Sequence, residues 1–393
     1  MTIAAKIDAF IEKSSWIRKM FEEGARLKAQ HGADKVFDFS LGNPTMTPPA
    51  SFDAAMAEEC AKKGPGTFSY MPNTGYPHVR EAVAAYVSDE QGMPVSGDDI
   101  IMTCGAAGAM NVTLKAILDP GDEVLSPAPY FAEYDFYADN HGGVLKKVPT
   151  DPDFQLDLDA IAAAITEKTK AVLINTPNNP TGQIYSEAAL AALGNLLDEK
   201  SAAFGRTLYL ISDEPYRKIV YDGAVVPSIF KAYQNAIIAT SYSKDISIPG
   251  ERIGYLAVHP ETPHKARLLA GMGLANRILG FVNAPGLMQR VIAHIQGETV
   301  DISEYARKRK LLCDGLAAAG YEFTPPMGAF YLFPRAPIAD DVKFVQALQE
   351  ELVLAVPGSG FGGPGHFRLS YCVDDATIEN ALPGFERALK KFK

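Results

Sequence analysis

The stretch KTKAVLINTPNNPTGQIYSEAALAALGNLLDEKSAAFGRTLYLISDEPY, residues 168–216, decides the fold. Its first ten residues are rich in Val, Ile and Leu and read as a strand, and NNPTG supplies turn residues. Ser186 can cap the helix EAALAALGNLLDE, after which RTLYLISDE reads as a second strand. Strand, helix, strand in this order predicts two parallel strands joined by a crossover helix. The alternation extends outward from about Asp99 to Val258. DDIIMTCG, DPGDEVLSPAP and NAIIATSYS are further strands, and AAGAMNVTLKAIL is a helix after its glycine. The expectation is an α/β fold, a large mostly parallel sheet covered by helices, with function at the strand ends. After about residue 300 the texture changes. DISEYARKRKLLCDGLAAAG reads as a helix ending at Gly320, followed by strand-like YEF, AFYLFP, LVLAVP and HFRLSYC. That predicts a smaller α+β domain, joined by the N-terminal segment, where a helical stretch through about Gln30 leads to VFDFSLGNP. The division expected is 46–300 for the large domain and 1–45 with 301–393 for the small one.

Composition narrows the functional classes. The 393 residues are 47% hydrophobic and 21% charged, a globular balance that excludes disorder, collagen-like and coiled-coil architectures. A formal charge of -10 repels polyanions, so nucleic acid is not an expected partner. The longest charge-free runs are broken by Pro, Gly and polar residues, so no membrane span is expected. The N-terminus carries Lys6, Asp8, Glu12 and Lys13 within its apolar pattern, unlike a signal peptide, and a cytoplasmic location is expected. Cys60, Cys104, Cys313 and Cys372 are far apart without CxxC spacing, which fits reduced thiols better than a zinc site, and no metal is expected. GxxxxGK, HExxH and GxSxG are absent.

The sharpest chemistry lies at Ser241-Tyr242-Ser243-Lys244, with Arg252 eight residues on in PGERIGY. A lysine after an apolar strand, flanked by small hydroxyls and followed by an arginine, is placed for desolvation and for use as a neutral nucleophile. An exposed strand-end lysine is the plain alternative, and residues elsewhere weigh against it. Asp213 closes TLYLIS and Tyr216 follows three residues later, so a carboxylate and a phenol project from a neighbouring strand end. An acid facing a pyridine nitrogen and a phenol near a ring oxygen are what pyridoxal phosphate requires as an electron sink. The segment Asn178-Asn179-Pro180-Thr181-Gly182 offers an amide for the ring hydroxyl.

With NNPTG, SDEPY, SYSK, GERIGY and FRLSY in this order and at these separations, the chain resembles the class I and II pyridoxal-phosphate aminotransferases of fold type I, the aspartate aminotransferase superfamily. The resemblance runs from LGNP to HFRLSYC. It implies Lys244 as the Schiff-base lysine and proton shuttle, Asp213 on the pyridinium nitrogen, and Asn179 with Tyr216 on the ring hydroxyl. It also implies a phosphate cup of Gly105, Ala106, Ala107, Ser241, Ser243 and Arg252. Small residues opening a helix independently present bare N–H groups to an anion, although a tight helix–strand turn is an equal reading. The resemblance further implies an aromatic ring on the cofactor, Phe131 or else Tyr130, and Arg368 as the fork for the substrate α-carboxylate, against an edge-strand surface pair. Gly42 matches the glycine whose backbone approaches the substrate. Tyr70 resembles the tyrosine that reaches the neighbouring subunit's phosphate, which implies a homodimer.

Two features depart from the pattern or leave it open. Glu251 stands before the cup arginine where the family commonly has an aromatic residue, and no second arginine for a distal carboxylate is evident. The resemblance implies transfer of the amino group of an L-amino acid, aspartate- or alanine-type, to a 2-oxo acid through a pyridoxamine phosphate form. A β-eliminating C–S lyase on the same scaffold is the alternative, and a non-enzymatic regulatory module would need a DNA-binding segment that the acidic chain does not display.

Overall fold

The structure is a computed structural model and describes residues 2–12 and 16–393. Seven strands form one sheet in the order Ile100–Thr103, Gly254–Val258, Ala236–Ser241, Tyr209–Asp213, Thr169–Asn175, Glu123–Ala128, Val144–Pro149. The last five run parallel to one another, and Gly254–Val258 is antiparallel to both of its neighbours. The expected α/β sheet is therefore present. Two strands were not singled out from the sequence. VLKKVP is an edge strand, exposed or half-buried at five of six positions, and so lacks an apolar run. GYLAV is fully buried but short and directly follows the arginine motif.

Alternation along each central strand sorts the core into two layers. Val172, Ile174, Leu210 and Ile238 pack in one cluster, while Ala171, Leu173, Ile211, Ile237 and Ala239 pack in another, because successive side chains leave opposite faces of a strand. Both faces are covered by helices, and each fully buried Leu or Ile contributes about 1.5–3 kcal/mol. The crossover helix Glu187–Phe204 is capped as expected, with Ser186 accepting from the Ala189 N–H and Gly205 closing it in the left-handed conformation. It runs five residues beyond the sequence expectation. The helix Gly105–Ile117 begins on the glycine rather than after it.

A third cluster, centred on Phe330, Phe344, Phe367, Tyr371 and Phe385, builds the C-terminal part. The helix Ile302–Ala319 is capped by Asp301 and ends at Gly320 as expected. The strands expected here are mostly shorter. YEF forms none, since the chain after Gly320 runs into Pro325 and Pro326; AFYLFP contributes only Tyr331–Leu332; LVLAVP splits into Val353–Leu354 and Val356–Pro357. Phe367–Ser370 pairs with both Tyr331–Leu332 and Val356–Pro357. The N-terminal helical stretch is two helices, Ala5–Glu12 and Trp16–His31, with residues 13–15 outside the described set. Phe37–Asp38 then pairs in parallel with Val353–Leu354, and the Ser370 N–H donates to Phe39 O, so the two ends of the chain meet.

Candidate active site

The carboxyl ends of the parallel strands open into a cavity of about 300 Å³. In-register pairing of Asn175 with Asp213 and of Asp213 with Ala239 brings the two polar residues to one level, and the turn after Ser241 carries Lys244 to the same rim. Of the residues singled out from the sequence, Gly42, Ala106, Ala107, Phe131, Asn179, Asp213, Tyr216, Ser241, Ser243, Lys244, Arg252 and Arg368 all line this cavity.

Lys244 is not an exposed strand-end lysine. Its Nζ donates to Gly42 O at 2.7 Å, and burial, reinforced by the positive charges of Arg368 and Arg252, pushes its pKa down to about 8 against an opposing influence of Cys372. The amine is therefore mostly neutral above about pH 8 rather than only above 10.5. Asp213 is shifted the other way. Burial raises its carboxyl to about 7, against the hydrogen bond that Tyr134 donates to Oδ2 at 2.5 Å, with the nearby Glu214 charge adding to the rise. Its other oxygen, Oδ1, is buried with no protein partner. A buried carboxylate oxygen left without a donor is costly, and a protonated ring nitrogen is a group that would satisfy it.

Arg368 is 2% exposed, which removes the surface-pair reading. Its Nη1 donates to Asn179 Oδ1 at 3.0 Å and its Nη2 to Ser40 O at 2.6 Å, while Nε has no partner. Among the described residues no carboxylate pairs with it. Buried cations are ordinarily paired, so this guanidinium suits a carboxylate arriving from outside the chain. At the opposite end of the cavity, Ala106 and Ala107 open the helix Gly105–Ile117, whose cap residue Cys104 makes no side-chain bond to the first turn, leaving its N–H groups for an anion. A Cβ on Gly105, whose φ is +71°, would lie 3.1 Å from Arg252 Nη2. Among the described residues Arg252 hydrogen-bonds only Pro249 O, at 3.0 Å, and exposed Glu251 does not form an ion pair with it. The donorless Asp213 Oδ1 fits the ring nitrogen, and the bare helix start with Arg252 fits the phosphate, of a phosphorylated pyridine aldehyde.

Sequence reasoning missed Tyr134, Tyr137, Asn175 and Tyr331. Asn175 carried a usable signal as the polar end of a buried strand: its Nδ2 donates to Asp213 O at 2.8 Å and its Oδ1 accepts from the Asn179 N–H at 2.6 Å. The tyrosines gave none, because their relevance arises from contacts distant in sequence. Phe131 lines the cavity, whereas Tyr130 turns away and hydrogen-bonds Asp135. Tyr70 stands apart. It is 93% exposed, beside a groove formed with Phe68, Met71, Tyr76 and Arg290. Glu58, Glu59 and His294 have metal-like spacing, but, against the upward push of burial, hydrogen bonds from Lys62, His294 and Arg290 grip the Glu59 carboxylate and bring its pKa down to about 2.

Residues 34–385 match the family described as aminotransferase class I and II. The chain is 34% identical over 367 residues to a probable aspartate/prephenate aminotransferase of Thermus aquaticus, covering 91% of this chain and 92% of the relative. An aminotransferase structure from Eubacterium rectale superposes with a TM-score of 0.97 at 40% identity over 100% of both chains. The aspartate aminotransferase of Thermus thermophilus, solved with maleate, does so with a TM-score of 0.87 at 29% identity, over 99% of this chain and 100% of that one. The fold is that of fold type I enzymes, and the chain belongs to the class I and II aminotransferase family.

Proposed function

We propose that this enzyme uses pyridoxal phosphate to move the amino group of an L-amino acid to a 2-oxo acid, with Lys244 as the catalytic amine. The observation that carries the reading is one cavity that joins a lysine near neutrality, a buried acid oxygen without a donor and a buried arginine without an acid. Pyridoxal phosphate supplies an aldehyde for the lysine and a ring that accepts electrons from the substrate Cα–H bond.

The chain's own residues divide the remaining work. Asp213 Oδ1 would keep the ring nitrogen protonated, while Tyr216 and Asn179 would hold the ring oxygen and Phe131 the ring face. Gly105, Ala106, Ala107, Ser241, Ser243 and Arg252 would anchor the phosphate. Arg368 would grip the α-carboxylate beside Gly42, which sets Cα within reach of Lys244 Nζ. A neutral Lys244 amine would take the proton from Cα and return it two bonds away, at the carbon that was the cofactor's aldehyde, the task a depressed pKa suits. The names of the relatives support an aspartate-type donor and favour transfer over β-elimination; an alanine-type donor is the other reading.

The exposed Tyr70 supports a homodimer in which its hydroxyl reaches the phosphate of the second subunit. The division into residues 46–300, which hold the cofactor, and 1–45 with 301–393, which close on substrate, is part of the same proposal. Four free cysteines support a reducing, cytoplasmic setting, and among the described residues no helix is long and apolar enough to cross a membrane.

Absorbance of the cofactor-loaded protein tests the reading. Stoichiometric bleaching on adding L-aspartate or L-alanine without an oxo acid, reversed by 2-oxoglutarate or pyruvate, is expected. Steady release of pyruvate and ammonia without bleaching would mean elimination instead. Lys244→Ala should retain cofactor yet lose turnover, and full activity in that variant would remove the lysine from the mechanism.

A further inference from the structure

Tyr331 belongs to no motif, yet it touches three parts of the cavity. Its hydroxyl lies 3.0 Å from the Tyr216 hydroxyl. Its ring lies under the Arg368 guanidinium, with 4.6 Å from Cζ to the ring centroid, and Phe361 packs against the same guanidinium at 4.7 Å. The hydroxyl also fills the space over Gly42, where a Cβ would collide with it, and the Gly42 carbonyl is the acceptor for Lys244 Nζ.

The position of Tyr331 is fixed from both sides. Backbone pairing sets it opposite Ser370, two residues from Arg368. Just before it, the Ala329 N–H donates to Ile219 O at 2.9 Å, and Gly328 bridges to Val220, which locks this segment to the loop that carries Tyr216. Tyr331 is thus the one cavity-lining side chain among the described residues that contacts both the Tyr216 phenol and the Arg368 clamp.

We propose that Tyr331 is a positioning residue that sets the proton direction at Tyr216 through its hydroxyl and the plane of Arg368 through its ring. The inference rests on the roles proposed above for Tyr216 and Arg368. A phenol has one proton, so when Tyr216 donates to the cofactor ring oxygen, Tyr331 must be the donor in the pair between them. A donor bonded in this way polarises the next bond in the chain and strengthens it. The ring acts separately, since a guanidinium buried between two aromatic faces is held flat for a two-pronged carboxylate.

The two roles separate in two variants, measured as holoenzymes beside the wild type. Tyr331→Phe keeps the ring and loses the hydroxyl, whereas Tyr331→Leu loses both. The first readout is the pH titration of the bound cofactor's absorbance. The second is the dissociation constant of 2-methylaspartate and of 2-aminoisobutyrate, amino acids that lack an α-proton and cannot turn over. A donor at the ring oxygen favours the deprotonated chromophore, so both variants should raise the titration midpoint, by about 0.3 pH unit or more. Only Tyr331→Leu should weaken the bound amino acid, by about tenfold.

An unmoved midpoint in Tyr331→Phe overturns the hydroxyl role. Equal loss of amino-acid affinity in the two variants overturns the ring role, and if Tyr331→Leu does not fold, any loss beyond twofold in Tyr331→Phe does the same. A wild type that neither titrates nor binds these amino acids overturns the site reading beneath the inference, and the inference with it.

Discussion

Replacing Asp213 with Asn should stabilise the cofactor-free protein and cripple the loaded one. Burial lifts the carboxyl from 3.8 to about 7, so the folded chain holds it more than 90% neutral at pH 5 while the unfolded chain has already ionised it. Below about pH 3 the group is protonated in both states and imposes no penalty. The penalty builds from there to about pH 7 and is constant above, where a rise of about three units corresponds to about 4 kcal/mol. Asparagine is close in shape, its amide oxygen can still accept from Tyr134, and it carries no charge to bury. The stabilisation in Asp213→Asn should therefore grow by about 2.5 kcal/mol between pH 5 and pH 8, whatever fixed offset the amide introduces. Urea unfolding of the cofactor-free variant and wild type at the two pH values reads that difference directly. With pyridoxal phosphate bound the sign reverses, because the ring nitrogen loses its counter-charge, and cofactor affinity should fall by about a hundredfold. An equal effect of the substitution at pH 5 and pH 8, or a loss of stability at pH 8, would refute the claim that Asp213 is a carboxylate held at a cost for an absent partner.

Two further outcomes follow from the charges lining the cavity. Arg368→Lys should raise KM for the amino donor by about 10–100-fold through loss of the fork, while cofactor affinity stays near that of the wild type; an unchanged KM would move the clamp elsewhere. Imine formation between cofactor-free protein and pyridoxal, with the Lys244→Arg background subtracted, should speed up as pH rises and level off above about 8, since the amine is neutral above its pKa; a plateau reached only near 10.5 would show that Lys244 is not desolvated in solution.

Legibility followed distance along the chain. The runs AVLIN, YLISD and AIIATS declared themselves because strands covered on both faces need unbroken apolar sequence, and the motif residues at their ends came with them. VLKKVP did not, because an edge strand with two lysines satisfies its outer face with water. YEF had strand composition, but the two prolines that follow left its backbone without a ladder. Tyr134 reaches Asp213 across 79 positions and Tyr331 reaches Tyr216 across 115, and neither pairing leaves a local mark. Arg368 was readable only through the motif around it; its burial, its Asn179 partner and its lack of an acid belong to the folded chain.

The bond from Arg368 to Ser40 O spans 328 positions of sequence, and that from Lys244 to Gly42 spans 202. Synthesis delivers these partners at very different times. A growing chain that has emerged as far as residue 300 possesses every strand of the seven-stranded sheet, including Asp213, Lys244 and the helix that opens at Gly105. It still lacks Tyr331 and Arg368. On the reading proposed above, the groups that one chain offers to the cofactor ring and phosphate thus emerge before the arginine assigned to the amino acid's carboxylate, and clamping of substrate is withheld until the last quarter of the polypeptide arrives to close against residues that emerged near its start.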